Sequence, residues 1–181
     1  MRAIILAAGR GSRMKSFTNK RPKCLAKVKG KRLINWQLEA IRESQIHKIA
    51  IATGYLREQL INFSLDEFYN KNWAKTQMAA SLFCAKEWFK DSELLISYSD
   101  IFYEKNAIEI LKNCDQDISI TFDPNWRNLW EKRFDNPLSD AESFKLDKNN
   151  KLIEVGNKSE SVESIQGQYM GLIKTSKKGS H

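Results

Sequence analysis

Among the 181 residues, chemistry concentrates in Leu6-Ala7-Ala8-Gly9-Arg10-Gly11-Ser12-Arg13-Met14 and in Arg21-Pro22-Lys23-Cys24-Leu25 a short way on. An apolar run ends there at a glycine-bearing turn, and such a turn exposes backbone N–H groups. Fixed N–H dipoles can replace water around an anion, and glycine lets the backbone approach closely. Arg13 and Lys23 could then neutralise a triphosphate and the charge that builds during transfer. Two other phosphate loops do not fit. G-x-x-x-x-G-K-[ST] is absent. A dinucleotide fingerprint needs a third small residue and an acid about 20 residues on, but Met14 takes that place and the first acid is Glu39.

The charge distribution points the same way. Residues 1–38 carry eleven Lys and Arg and no acid, while the rest of the chain carries 19 basic and 22 acidic residues. A basic block on a slightly acidic body suggests an anion site; a solvated basic loop is the plain alternative. A nucleic-acid surface would scatter its cations over several elements with aromatics available for stacking. Here they crowd into one loop, so no nucleic-acid partner is expected. The two histidines, His47 and the terminal His181, leave a Ser-His-Asp triad or a His-rich zinc site without its parts. Cys24, Cys84 and Cys114 have neither C-x-x-C nor zinc spacing. With no apolar run near the ~20 residues that span a bilayer and no convincing secretory signal, a cytoplasmic protein with reduced thiols and no membrane partner is expected.

The elements that must position these residues follow from hydrophobic periodicity. Residues 3–8 read as a buried strand, 9–32 as a long basic loop, and 33–44 as a helix through Leu33, Ile34, Leu38 and Ile41. Residues 49–53 read as a second strand stopped by Gly54. Helices are expected over 55–69 (Leu56, Leu60 and Ile61 on one face) and 76–90 (Met78, Leu82, Ala85 and Phe89 inside). A strand at 94–96 runs into Ser97-Tyr98-Ser99-Asp100, a short helix includes 108–111, and 118–122 is another strand. Alternation of strands and helices argues an α/β fold, Rossmann-like, with a mixed, mostly parallel sheet flanked by helices. After residue 123 the pattern changes. Residues 126–134 are helical or irregular, and 144–146, 152–155 and 169–174 suggest a smaller antiparallel region, a lid or insertion.

Leu6–Met14 with Pro22-Lys23 closely resembles the signature of the nucleotidyltransferases that make sugar nucleotides and their relatives. Further stretches resemble the branch that holds the phosphoglutamine, phosphocholine and phosphonate cytidylyltransferases. These are Gly54-Tyr55 after the second strand, Asn72-Trp73-Ala74-Lys75-Thr76-Gln77-Met78 against W-x-x-T-N-M (Gln77 departing), Ser97-Tyr98-Ser99-Asp100, and Trp126, Leu129-Trp130, Arg133-Phe134, Asn136-Pro137-Leu138 and Asp140-Ala141-Glu142. The likeness runs to about residue 175. It implies one nucleotidyltransferase domain over 1–175, with a nucleotide-binding part (1–123), an acceptor-side part (124–175) and a tail (176–181).

The resemblance implies a reaction in which an acceptor oxygen attacks the α-phosphorus of CTP in line and pyrophosphate leaves, so positioning and charge neutralisation dominate. Leu6, Ala7, Ala8 and Gly9 would hold base and ribose through the backbone. Gly11, Ser12 and Arg13 would cradle the β- and γ-phosphates, and Lys23 would bridge the α-phosphate and the acceptor phosphate. Gly54, Tyr55, Thr76 and Ser81 would line the nucleoside pocket, and Asp100 would hold Mg²⁺. Asp123, Trp126, Trp130, Arg133, Glu142, Lys158, Gln168 and Tyr169 are the acceptor candidates, since an ammonium group suits an aromatic face with a carboxylate. Several of these residues have a plain alternative: Trp126 and Trp130 as core, Arg133 as a brace for Asp135 or Asp140, Lys158 as a solvated turn residue, and Asp100 as a helix cap. The expected acceptor is a small phosphorylated or phosphonylated amine or amino acid, in capsule or cell-surface polysaccharide modification. Uridylyl or thymidylyl transfer to a sugar 1-phosphate is the enzymatic alternative. Family members continue past residue 181 with a second metal-binding aspartate, so a nucleotide-binding chain without turnover is the other. The Trp-rich half could build a homodimer face.

Overall fold

The computed structural model describes residues 1–11 and 18–179. Ser12 and Arg13 lie outside the described residues. Strand β1 (Arg2–Ala7) shows why the first apolar run is a strand. Ala3, Ile5 and Ala7 point into one core, with Ile34, Leu38, Ile41 and Ile51. Ile4 and Leu6 point into another, with Ala50, Trp88 and Ile96. A strand covered on both faces reads as a continuous apolar run.

The expected basic loop contains a small hairpin, β2 (Lys27–Val28) and β3 (Lys31–Arg32). Its two-residue turn is Lys29-Gly30, both with positive φ (50° and 79°), the backbone that tight hairpins require. Helix α1 (Leu33–Glu43) buries Leu33, Ile34, Leu38 and Ile41 at helical spacing, each burial contributing roughly 1.5–3 kcal/mol. Strand β4 is Ile49–Thr53.

The helix expected over 55–69 does not form. Two single 3₁₀ turns (Arg57–Gln59 and Ile61–Phe63) lie between Leu56 and Ser64, whose φ values of 48° and 52° are left-handed and break any helix. Residues 66–69 are instead the edge strand β5 (Asp66–Tyr69). The helix expected over 76–90 is cut short. Helix α2 is Met78–Phe83, and a 3₁₀ turn at Lys86–Trp88 then drives Trp88 into the core with Ala85. Met78 is 43% exposed rather than inside.

Strand β6 (Leu94–Tyr98), helix α3 (Lys105–Lys112), strand β7 (Ile118–Asp123), helix α4 (Trp126–Arg133) and strands β8 (Glu142–Leu146), β9 (Leu152–Lys158) and β10 (Gln168–Thr175) follow. The fold is α/β. The main sheet runs β5-β4-β1-β6-β10-β7. β1 pairs in parallel with β4 (Ile4 opposite Ala50) and β6 (Ile4 opposite Ile96), and β4 with β5. β10 runs antiparallel to β6 (Leu172 opposite Ser97). β8 and β9 form a separate antiparallel pair. The chain divides into two compact units, Met1–Ser119 with Gly171–His181, and Ile120–Met170.

Candidate nucleotide site and candidate acceptor residues

β1 and β6 end side by side, with Leu6 opposite Tyr98. The turns that follow them therefore meet beyond the carboxyl ends of the parallel strands, where α/β sheets place ligands. A cavity of about 330 Å³ opens there, lined by Leu6, Ala8, Gly9, Gly11, Lys23, Thr76, Ser81 and Asp100, together with Trp73, Gln77, Met78, Tyr98 and Ser99. The period of two along β1 sorts the signature: Leu6 and Ala8 face the cavity, while the Ala7 side chain turns into the core.

Lys23 Nζ donates to Asp100 Oδ2, joining two turns 77 residues apart. Their side chains are 25% and 29% exposed, and a pair in that setting contributes only about 0–1 kcal/mol to stability. A cation and a carboxylate held together at a cavity wall are instead available to an incoming polyphosphate and its counter-ion. Gly11 has φ +67°, and a Cβ there would lie 3.1 Å from Lys23 Cδ, so glycine lets the lysine stem pass. Beside Lys23, burial pushes the Cys24 thiol up to about 12. Cys24 therefore stays protonated and is no nucleophile.

The far wall is set by Asn70, which is 5% exposed. Its Nδ2 donates to Thr76 Oγ1 and to Ser81 Oγ, both at 2.9 Å, while its Oδ1 accepts from the Asn72 N–H. Thr76 Oγ1 in turn donates to the Asn72 carbonyl. Among the described residues, the Ser81 hydroxyl proton is left for an acceptor in the cavity. Gly54 and Tyr55 stand behind this wall. A Cβ on Gly54 would fall 2.5 Å from Trp73 Cβ and 2.6 Å from the Ala8 carbonyl oxygen. Tyr55 donates its N–H to that same carbonyl at 2.9 Å and packs its ring on Trp73 at 5.2 Å. Trp73 thus brings an aromatic ring to the cavity from this wall, as Tyr98 does from the end of β6. Asn70 carried no mark in the sequence, because a buried hub looks like any turn asparagine until its partners are known.

A larger concavity of about 570 Å³ lies against α1 and the start of α3. Glu39, Glu43, Glu104 and Glu109 line it, which is the wrong sign for a phosphate. Among the described residues, no group of three or more His, Cys, Asp or Glu could hold a metal ion. A single carboxylate still suits Mg²⁺, which keeps several waters and takes its remaining oxygens from substrate phosphates. Asp100 meets that requirement.

In the unit Ile120–Met170, Trp126 is 2% exposed. It packs with Ala141, Phe144 and Ile165 and donates Nε1–H to the Ile165 carbonyl at 3.2 Å. It serves the core and presents no open face. Trp130 packs edge-on against Trp126, with ring centroids 5.9 Å apart, and the Arg133 guanidinium lies 5.2 Å from the Trp130 ring centroid. Glu142 and Lys158 are opposed across β8 and β9. Gln168 brackets Glu142 by donating Nε2–H to its carbonyl (2.6 Å) and accepting its N–H (3.3 Å). Asp123 accepts the Asn125 N–H, capping a turn, and Tyr169 packs against the unit's core. The eight acceptor candidates thus fall into a Trp–Arg stack, a Glu142–Lys158 pair on the hairpin that Gln168 joins from β10, and Asp123 and Tyr169.

The model of the MobA-like NTP transferase domain matches residues 3–130. The chain belongs to this family. Within the family's wider circle, it is 39% identical to the CTP:phosphoglutamine cytidylyltransferase of Campylobacter jejuni, over 97% of this chain and 73% of that protein. It is 35% identical to the choline-phosphate cytidylyltransferase of Streptococcus pneumoniae, over 56% of this chain and 46% of that protein. A solved structure of CTP:phosphocholine cytidylyltransferase from Streptococcus pneumoniae superposes with a TM-score of 0.70 at 21% identity, covering 97% of this chain and 70% of the other. That likeness shows the nucleotidyltransferase fold. The chain is a member of an enzyme family of nucleotidyltransferases, of the cytidylyltransferase type. Among the described residues, no helix is long and apolar enough to cross a membrane.

Proposed function

We propose that this MobA-like NTP transferase moves CMP from CTP to a small phosphorylated or phosphonylated amine or amino acid and releases pyrophosphate. The observation that carries the reading is the Lys23–Asp100 pair on the wall of a cavity built by the glycine turn after β1. The names of the cytidylyltransferase relatives support the nucleotide.

In this reading the backbone of Leu6, Ala7, Ala8 and Gly9 holds base and ribose, with Trp73 against the nucleoside and Gly54 and Tyr55 bracing it. The Ser81 hydroxyl proton can serve a pyrimidine acceptor: O2 is common to cytosine and uracil, and only ring N3, an acceptor in cytosine and a donor in uracil, would tell them apart. Gly11, with Ser12 and Arg13, receives the β- and γ-phosphates. Lys23 leaves Asp100 for the phosphates and neutralises the α-phosphate and the acceptor phosphate. The freed Asp100 carboxylate is the protein ligand for Mg²⁺, which when bound supplies further positive charge to the triphosphate. An acceptor phosphate oxygen forms the new bond to the α-phosphorus as the bond to the α,β-bridging oxygen breaks, and the electron pair leaves on pyrophosphate. The protein contributes alignment and charge, and no covalent intermediate is required. On the acceptor side, the Trp130–Arg133 stack and the Glu142–Lys158 pair, with Asp123, Gln168 and Tyr169, offer contacts to an amine and a carboxylate.

Pyrophosphate release tests this. CTP, UTP, dTTP, ATP and GTP are each supplied with Mg²⁺ and phosphoglutamine, phosphocholine, 2-aminoethylphosphonate or glucose 1-phosphate. Release with CTP and one amine-bearing acceptor is the expected result. Release with UTP or dTTP and glucose 1-phosphate alone would overturn it.

A further inference from the structure

Helix α1 crosses behind the site, and one of its side chains is out of character. Gln37 has no exposed surface. Its Nε2 donates to the Tyr98 carbonyl at 2.9 Å and to the Ile101 carbonyl at 2.7 Å. Those two carbonyls flank Ser99-Asp100, so both amide protons are spent clamping the base of the turn that carries the candidate metal carboxylate. The two carbonyl acceptors also fix which end of the amide is nitrogen. Gln37 Oε1, in contrast, is buried with no partner among the described residues. A side chain present for packing would be leucine or methionine, which fill the space and leave no acceptor stranded. The turn has a second brace: Ser97 Oγ donates to the Tyr98 carbonyl at 3.0 Å and accepts the Tyr103 hydroxyl at 3.0 Å.

The same helix anchors the other half of the pair. The Leu33 N–H, at the start of α1, donates at 2.8 Å to the carbonyl of Ala26, directly after the turn that holds Lys23. We propose that Gln37 is a positioning residue: it fixes the Asp100 turn on α1, in register with the Lys23 turn tied to the same helix, and so sets the spacing at which lysine and carboxylate meet a nucleotide and its cation. The functional half of the inference rests on the nucleotide-site reading above, and its structural half on the hydrogen bonds of Gln37 alone.

The experiment compares wild type with Gln37→Met, which keeps length but has no donor, and with Leu38→Ala, a core change on the same helix away from the turn. The first readout needs no nucleotide: backbone order parameters at residues 99–102 should fall in Gln37→Met from about 0.85 to below about 0.6, and stay unchanged in Leu38→Ala. The second is calorimetric CTP binding against Mg²⁺. The Mg²⁺ concentration for half-maximal binding should rise about 10-fold or more in Gln37→Met, with metal-free CTP binding unchanged and Leu38→Ala like wild type. Unchanged order parameters and Mg²⁺ dependence in a folded Gln37→Met would overturn the proposal. Should Gln37→Met not fold, the wild-type Gln37 side-chain amide decides. Slow exchange with through-space contacts to Tyr98 and Ile101 supports the clamp, and fast exchange refutes it. If wild type binds no CTP, the functional reading falls, while the order parameters still judge the clamp.

Discussion

The unit of Met1–Ser119 with Gly171–His181 and the unit of Ile120–Met170 hold their candidate residues in different ways. In the first, the groups hang from the ends of buried parallel strands, and much of the site is backbone. Leu6, Ala8, Gly11 and Asp100 are placed by a sheet whose strands are covered on both faces, and Lys23 by a short turn tied to α1. In the second, the candidates are side chains on one short helix, one hairpin, the end of β7 and the start of β10, and packing claims some of them outright, as it claims Trp126. A site made by strand ends tolerates change in its surroundings; a site made by side chains is hard to separate from the core beneath it.

The largest expected effect breaks the first unit's charge arrangement. Lys23→Ala should lower turnover by roughly 10²–10³-fold, the scale of losing one preorganised group on developing charge. Its melting temperature should barely move, because the ion pair is partly exposed. A large melting shift with modest kinetic loss would mean that Lys23 is a staple after all.

The second unit should answer in the opposite sense. Trp126→Ala should cost about 3–5 kcal/mol, read by denaturant unfolding, as Ala141, Phe144 and Ile165 lose their shared neighbour. CTP affinity should hold. Loss of CTP binding with intact stability would reverse the contrast between the units.

Gly54→Ala is a smaller, steric test of the first unit. Its new Cβ would meet Trp73 and the Ala8 carbonyl inside normal contact distance, and overpacking of this kind costs about 1–3 kcal/mol. CTP binding should weaken with it, since Trp73, which lines the cavity, must shift. Weakened stability with full CTP affinity would exclude Trp73 from the site.

The smallest effect concerns pH. Hydrogen bonds from Arg57 hold the Glu67 carboxyl below its ordinary value of 4.5, helped by Thr53. A carboxyl depressed in the folded state stabilises fully above its unfolded pKa and loses that contribution as pH falls through the folded value. Wild type should therefore lose stability on acidification below about pH 4.5, and Glu67→Gln should lose less over the same window. Parallel acid curves for the two proteins would remove Glu67 from the account.

The site-bearing strand was legible because a double-faced apolar run stopped by Gly9 has few other readings, and the same holds for β4 and β6. Strand β5 was not legible: Asp66-Glu67-Phe68-Tyr69 is a short edge strand with two acids, and the helical spacing of Leu56, Leu60 and Ile61 outweighed it. What decided against helix there was left-handed backbone at Leu56 and Ser64, which neither side chain announces. The C-terminal part of 76–90 was set by long-range burial of Trp88 against Ile4 and Ile96, which lies outside any local pattern. Within the site, Lys23 is legible as a cation of the basic stretch beside the glycine turn, whereas Asp100 is legible only through the resemblance. Asn70 and Gln37 escaped because their roles rest largely on partners six to 64 residues away, with only the Asn72 N–H local to Asn70.

The most direct test is calorimetric titration of the protein and of Lys23→Ala with CTP and then UTP, in Mg²⁺. The account predicts that wild type binds CTP in preference to UTP and that Lys23→Ala loses most of the affinity. Equal affinity of wild type and Lys23→Ala for CTP, or no binding of any pyrimidine triphosphate, would contradict it.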